Sequence, residues 1–182
     1  SLQDNIPKLS HKTILCVGRL TYQKGFDLLV PAWAEIAQKL PDWKIIVVGT
    51  GEDESALKKM TLEYGVSDSI EFAGQQKNMD LLYRNASFFC MSSRFEGLPM
   101  VLLEAQSYGL PIVAFDCDTG PAEIVDSGIN GYLVKKEDVK DFLDRILKMC
   151  TVRDFESFSV AASKKSLNYD AKKIAIKWSN II

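Results

Sequence analysis

Six short apolar runs, separated by longer segments of helical spacing, constrain the fold of this 182-residue chain more than any other feature. Runs of this length that are rich in β-branched residues are typical of buried strands. Their alternation with helical segments is typical of βαβ units and a parallel sheet. The predicted strands are residues 13–18, 43–49, 69–74, 86–92, 111–117 and 131–134. The sequence therefore predicts an α/β fold with a six-stranded, doubly wound parallel sheet and helices on both faces.

The segments between these runs have the spacing of amphipathic helices. Leu29, Trp33 and Leu40, for example, fall on one helix face. Helices are predicted at residues 26–40, 54–65, 78–84, 99–108, 121–127 and 137–149, and two more in the tail 152–182, separated near 166–169. Residues 1–11 are predicted to be a linker from an upstream domain, and residues 12–182 to form one domain.

Composition excludes several classes of protein. With 22 basic and 24 acidic residues, the formal net charge is −2, so no overall cationic field would recruit nucleic acid or anionic lipid. The sequence contains no stretch of roughly 20 apolar residues that could span a bilayer, and its start lacks the apolar core of a secretory signal. Four cysteines without close spacing are expected to be reduced core residues of a cytoplasmic protein: Cys16, Cys90, Cys117 and Cys150.

The loop after the first predicted strand carries two cations. In an open parallel sheet, ligands bind beyond the carboxyl ends of the strands. Gly18, Arg19, Lys24 and Gly25 fall in one such loop, directly before a helix. Two cations beside a helix N-terminus suit a phosphate group. A solvated loop with two basic residues explains the same pattern.

The second strand ends in VVGTGED, which contains Gly49 and Gly51. A dinucleotide fingerprint would require a further glycine, but Glu52 and Asp53 follow instead. The two glycines allow a close approach of the backbone to a ligand, or they form a simple tight turn.

The stretch RFEGLPMVLLEA holds two acids, Glu96 and Glu104, around a predicted helix start. Pro99 is predicted at the first helical position, where its missing N–H costs nothing. Glu96 then lies in the loop before the helix, and Glu104 about a turn and a half inside it. Backbone amides from Gly97 to Val101 could hold an anion between the two carboxylates. The alternative is a helix-terminal charge and an unrelated surface acid.

The remaining polar positions give weaker signals. The loop 119–121 and Glu123 form either an ordinary helix start or a ligand contact. The single histidine, His11, falls in the predicted linker, so catalysis by a histidine within the domain is not expected. The sequence contains no metal-ligand cluster and no Ser-His-Asp or Cys-His arrangement.

Five segments, in order, resemble the C-terminal half of retaining glycosyltransferases of the GT-B fold, the large family 4 that uses sugar nucleotides. They are VGRLTYQKGFDLL, VVGTGE, IEFAG, SSRFEGLPMVLLEAQSYGLPIVAFD and TGPAEIVDSGINGYLV. The similarity extends from about Thr13 to Met149, and it implies a Rossmann-like domain that binds a nucleotide-diphosphate sugar.

The resemblance also implies roles for individual residues. Glu96 would contact hydroxyls of the transferred sugar, and Arg19 and Lys24 would neutralise the diphosphate as it leaves. Glu104 would bind the ribose. The other implied donor-binding residues are Gly18, Gly49, Gly74 and Gln75 of the strand-end loops and Gly97, Leu98, Pro99, Met100 and Val101 of the backbone cradle.

The family further implies transfer of a hexosyl unit, most naturally from a UDP-sugar, to a glycan or lipid-linked acceptor in cell-surface polysaccharide synthesis. No bound metal is expected, and none is assigned to the Asp116-Cys117-Asp118 sequence. The family's N-terminal domain has no counterpart here, so this chain alone is expected to be inactive, and membrane association would depend on that other half. A non-catalytic nucleotide-binding Rossmann module remains the alternative. A dehydrogenase is disfavoured by the incomplete glycine pattern.

Overall fold

All six predicted strands form, and all pair in parallel. The computed structural model describes residues 6–169. The strands are β1 (Thr13–Val17), β2 (Lys44–Val48), β3 (Ile70–Gly74), β4 (Phe88–Met91), β5 (Ile112–Asp116) and β6 (Gly131–Lys135). Their order in the sheet is β3-β2-β1-β4-β5-β6. This order confirms the predicted Rossmann-like, doubly wound sheet, whose direction of winding reverses between β1 and β4.

Each helix predicted within the described residues also forms. The helices are α1 (Phe26–Ile36), α2 (Glu54–Glu63), α3 (Asp80–Asn85), α4 (Met100–Ser107), α5 (Pro121–Ile124), α6 (Val139–Thr151) and α7 (Phe155–Ser166). The second helix predicted for the tail falls in residues 170–182, outside the described residues.

Most helix boundaries differ from the prediction by one or more residues, and three of the differences have a visible local reason. Helix α1 ends at Ile36, whose φ of −115° departs from helical geometry, and residues Ala37–Lys39 continue as one 3₁₀ turn. Helix α5 ends at Ile124 because Val125 is extended. Helix α6 begins at Val139, where the Asp138 side chain accepts a hydrogen bond from the backbone N–H of Asp141 at 3.0 Å.

The sheet is buried on both faces, which explains why its strands are continuous apolar runs. Successive strand residues point to opposite sides, so Ile14 and Cys16 of β1 contact one helical layer and Leu15 contacts the other. The first layer contains α1, α2 and α6, with Trp33 and Phe142 as its largest fully buried side chains. The second layer contains α3, α4 and α5.

The ends of the described chain pack against this domain. Helix α7 contacts the end of α4, where Ser159 Oγ donates a hydrogen bond to Gly109 O at 2.7 Å. Ser87 Oγ donates to Lys8 O at 2.8 Å and so holds the segment before β1. None of the helices in residues 6–169 combines the length and apolar character that crossing a bilayer requires.

Candidate active site

An ion pair joins the two loops at the point where the sheet reverses its winding. Strands β1 and β4 are neighbours, with Ile14 opposite Phe88, so the loops after them meet at the carboxyl edge. There the Lys24 Nζ donates to Glu96 Oε1. The two side chains are only 18% and 9% exposed, respectively, so the pair is largely shielded from water. Two of the predicted site residues are therefore in direct contact.

Glu96 is held through both its side chain and its backbone. Ser93 Oγ donates a second hydrogen bond to Glu96 Oε1 at 2.7 Å. Thr119 Oγ1, from the loop after β5, donates to the backbone carbonyl of Glu96. Burial and, secondarily, the charge of Glu96 raise the pKa of the Cys117 thiol. Within residues 6–169 no donor contacts Glu96 Oε2, so this oxygen is available to a ligand hydroxyl.

Arg94 joins the same two loops through hydrogen bonds from its guanidinium. Its guanidinium donates two hydrogen bonds to Asp27, at 2.8 and 2.7 Å, and one to Tyr22 O at 2.7 Å. Its Nε donates to Glu137 Oε1 at 2.9 Å, which adds the loop before α6. The Arg94 side chain is only 8% exposed, and its ionic partners raise its pKa. Because Lys24 lies between Tyr22 and Asp27, Arg94 fixes the segment that carries this lysine.

A cleft of about 510 Å³ opens beside the ion pair at the ends of β1, β2 and β3. It is lined by Val17, Gly18, Arg19, Val48, Gly49, Thr50, Gly51, Gln75, Gln76 and Met79. Four predicted site residues, Gly18, Arg19, Gly49 and Gln75, therefore share one cavity. Arg19 is exposed and has no ion-pair partner within residues 6–169, so its charge is free to meet an anion.

Gly18 places Lys24 at the rim of this cleft. A Cβ added to Gly18 would lie 3.1 Å from Lys24 Cδ, so the lysine stem packs directly over the glycine. The ion pair and the cleft are thus adjacent parts of one site, although Lys24 and Glu96 do not line the cavity itself.

Gly49 and Gly51, which follow β2, allow the loop after β1 to pack closely against them. A Cβ at Gly49 would lie 2.0 Å from Gly18 O, and one at Gly51 would lie 2.2 Å from Leu20 O. The loop after β1 therefore occupies the space that the missing side chains leave. Both glycines also line the cleft, so contact with a ligand stays a prediction.

The predicted backbone cradle at the start of α4 is smaller than expected. Pro99 precedes the helix instead of beginning it, with φ −77° and ψ 80°, and as a proline it has no N–H to offer. The Met100 N–H donates to Leu98 O at 2.9 Å. Within residues 6–169, the amides of Gly97, Leu98 and Val101 donate to no backbone carbonyl, so they are the ones left for an anion at this helix end.

The loops after β4 and β5 touch at Gly120. A Cβ at this residue would lie 2.2 Å from Pro99 Cδ and 2.9 Å from Gly97 O, and its φ is +95°. Only a glycine fits this contact.

Glu104 is oriented by a residue that the sequence analysis missed. Tyr83 OH, from α3, donates to Glu104 Oε2 at 3.0 Å. Arg94, Ser93 and the hydrogen bond of Thr119 were missed as well. Arg94 leaves a signal in the sequence, because an arginine two residues before a site acid follows a wholly buried strand and needs partners. Tyr83 leaves none, since an apolar helix face accommodates a tyrosine equally well.

Two other candidates, Glu123 and Asp118, make no contact with the Lys24–Glu96 pair within residues 6–169. Glu123 is exposed, and its carbonyl accepts a hydrogen bond from Tyr169 OH at 2.7 Å. Asp118 lies 3.7 Å from Lys136 Nζ. In the part of the chain that the structure describes, no group of three or more His, Cys, Asp or Glu side chains could hold a metal ion.

Comparison with known proteins decides the family. The sequence profile of the family described as glycosyl transferases group 1 matches residues 2–166. The chain belongs to this family. A Haemophilus influenzae protein named "uncharacterized glycosyltransferase" is 34% identical to this group 1 chain over 181 residues, which cover 99% of the chain and 51% of that protein. The amylovoran biosynthesis glycosyltransferase AmsD of Erwinia amylovora is 36% identical, covering 98% of this chain and 50% of AmsD.

Solved structures confirm the fold of this group 1 domain. TarM of S. aureus, in a complex that includes UDP, superposes with a TM-score of 0.88 at 23% identity, over 93% of this chain and 35% of TarM. The architecture is that of the C-terminal domain of GT-B glycosyltransferases, as the resemblance implied. The chain spans about half the length of the curated relatives that it matches.

Proposed function

We propose that this chain is the donor-binding domain of a retaining glycosyltransferase. It transfers a hexosyl unit from a nucleotide-diphosphate sugar, a UDP-sugar, to a glycan or lipid-linked acceptor in cell-surface polysaccharide synthesis. The observation that carries the proposal is the Lys24–Glu96 pair at the β1/β4 junction, beside the cleft that Arg19 lines. The UDP in the TarM complex and the biosynthetic role in the name of AmsD support it.

The diphosphate is bound by cations and backbone amides in this proposal. Lys24 is paired with Glu96, and Arg19, which is exposed and makes no ion pair within residues 6–169, pairs with the diphosphate. The amides of Gly97 and Leu98, which lie just before the positive N-terminal end of α4, bind the same diphosphate. These fixed charges stabilise the negative charge that develops on the leaving diphosphate, so no metal ion is required.

The two acids bind the two ends of the donor. Glu96 Oε2 accepts hydrogen bonds from hydroxyls of the transferred sugar, because Oε1 is already occupied by Lys24 and Ser93. Glu104, eight residues further along the chain, accepts from the ribose hydroxyls. The base then lies in the cleft near Gln75, which follows Gly74 at the end of β3.

Transfer follows a front-face route. The bond between the anomeric carbon and the β-phosphate oxygen breaks, and a bond from the same carbon to the acceptor oxygen forms on the same face. The acceptor's proton passes to the departing phosphate oxygen. The configuration at the anomeric carbon is therefore retained. Since curated relatives are about twice as long as this chain, the acceptor is bound largely by another domain, and we expect donor binding without turnover here.

Thermal unfolding with a ligand panel tests the proposal. The panel contains UDP, GDP, ADP and NAD, each with the 182-residue chain. At a ligand concentration one hundred times the Kd, binding adds about 2.7 kcal/mol to the free energy of unfolding. For a domain of this size that raises Tm by about 5 to 11 °C. We expect UDP to raise Tm and NAD to leave it unchanged; stabilisation by NAD alone would overturn the proposal.

Two variants separate the roles of the acids. Glu104→Ala should weaken binding of UDP and of a UDP-hexose alike, because both ligands contain the ribose. Glu96→Ala should weaken binding of the UDP-hexose far more than binding of UDP. Glu63→Ala, which removes an exposed acid at the end of α2, is the matched control. Equal effects of all three variants would contradict the assigned roles.

A further inference from the structure

Tyr83 forms the only polar contact that the Glu104 side chain makes within residues 6–169. The tyrosine is fully buried on α3, whereas Glu104 is exposed on α4. Tyr83 OH donates to Glu104 Oε2 at 3.0 Å. Because the ring is fixed by burial, its hydroxyl restricts the orientation of the exposed carboxylate that it contacts. The second oxygen, Oε1, is left to accept hydrogen bonds from a ligand.

Helix α3 connects this contact to the cleft. Met79, which directly precedes α3, lines the cavity. The Tyr83 N–H donates to Met79 O at 3.0 Å, so the two residues are one helical turn apart. Residues four apart share a helix face. Tyr83 therefore lies on the same helix face as Met79, one turn further along α3, and from there its hydroxyl contacts Glu104.

The tyrosine is a fixed donor. Its ring stacks on Tyr108 with centroids 4.8 Å apart and an interplanar angle of 14°. Burial and, secondarily, the charge of Glu104 raise the pKa of the Tyr83 hydroxyl. The hydroxyl consequently keeps its proton at neutral pH, and its ring cannot turn away without losing the stack.

We propose that Tyr83 is a positioning residue that fixes the Glu104 carboxylate so that its second oxygen accepts hydrogen bonds from the ribose hydroxyls of a nucleoside diphosphate. The inference rests on the proposed function, which places the ribose at Glu104. An exposed glutamate without this contact would lose side-chain freedom on binding, and that loss would weaken the complex. Tyr83 itself touches no ligand.

The test compares the two stacked tyrosines. Tyr83→Phe removes the hydroxyl that contacts Glu104. Tyr108→Phe, the matched control, removes the hydroxyl that donates to Asp80 Oδ1 at 3.1 Å. Calorimetry on the whole chain measures the Kd of UDP and of 2′,3′-dideoxy-UDP, which lacks both ribose hydroxyls.

We expect Tyr83→Phe to weaken UDP binding about tenfold, the equivalent of one hydrogen bond, and dideoxy-UDP binding by less than about twofold. The control should change neither Kd.

A second arm measures coupling between the two residues. In a Glu104→Ala background, Tyr83→Phe should cause no further loss of UDP affinity, because the carboxylate that it positions is absent. If Tyr83→Phe fails to fold, Glu104→Gln is compared with Glu104→Asp. Glutamine keeps an oxygen within reach of Tyr83 OH, whereas the shorter aspartate keeps only the charge. The larger ribose-dependent loss is expected for Glu104→Asp, and a larger loss for Glu104→Gln would overturn the inference.

The outcomes separate the inference from the function on which it rests. A wild-type chain that binds none of UDP, GDP or ADP overturns the proposed function and the inference with it. If GDP or ADP binds instead of UDP, the dideoxy form of that nucleotide becomes the probe. A wild-type chain that binds, with Tyr83→Phe weakening both ligands equally or neither, overturns the inference alone.

Discussion

Replacing Arg94 with methionine should destabilise the fold substantially. The change removes four hydrogen bonds from the guanidinium, which contact Asp27 twice and Tyr22 O and Glu137 once each. Breaking a buried ion pair typically costs about 3 to 5 kcal/mol. Here the side chains of Asp27 and Glu137 are 39% and 46% exposed, so water can solvate them after the change. We therefore expect the low end of the range, about 3 kcal/mol.

For a domain of this size, a loss of about 3 kcal/mol lowers Tm by about 6 to 12 °C. Urea unfolding, followed by fluorescence of the buried Trp33 and Trp43, measures the free energy directly. Arg94→Lys keeps the charge without the paired donors and should lose an intermediate amount.

The control for this experiment is Arg145→Met on α6. Arg145 also pairs with an aspartate, Asp141, at 3.0 Å, but both side chains are 37% exposed. An exposed pair of this kind contributes about 0.5 kcal/mol. If Arg94→Met costs no more than Arg145→Met, Arg94 does not fasten the loops together, and the reasoning from its burial is refuted.

Two further predictions concern the backbone and the buried thiols. Gly25→Ala should lower the free energy of unfolding by about 3 kcal/mol, because φ is +65° and the added Cβ would lie 2.0 Å from Ser92 O. The control, Gly128→Ala, has φ +84° and open space around it, so it should cost only about 1 kcal/mol. Equal costs in urea unfolding would contradict the clash at Gly25. Burial raises the pKa of the Cys16 and Cys90 thiols. Above about pH 9 the unfolded chain therefore releases protons that the native chain keeps. The free energy of unfolding should then fall by about 1.4 kcal/mol per pH unit for each thiol. Urea midpoints at pH 8, 9 and 10 should show this decline, with a shallower slope for Cys16→Ala; a flat profile would contradict it.

The fold could be predicted because its strands are buried on both faces. Runs such as 111–117 have no polar alternation to confuse them with exposed strands, and the structure contains them almost to the residue. Helix ends were harder to predict, because they depend on single dihedral angles. Ile36 leaves helical geometry and Pro99 stops short of α4, and neither departure has a signature in the sequence.

Part of the site could also be predicted, for a topological reason. Loops at the carboxyl ends of neighbouring parallel strands must meet, and the contact of Lys24 with Glu96 across 72 positions follows from that rule. The supporting contacts could not. Arg94 bonds to partners 67 and 43 positions away, and Tyr83 to one 21 positions away. Such pairings depend on side-chain directions that only the packed structure determines.

The tight fit of Gly120 against Pro99 constrains how this protein can change over time. Because no atom can be added at Gly120 without displacing the ring of Pro99, neither position is expected to accept a larger residue unless its neighbour changes first. Substitutions in the two loops that contribute to one site are therefore expected to be coupled. Laboratory evolution toward a different donor should therefore reach new solutions through paired substitutions at these two positions more readily than through either one alone.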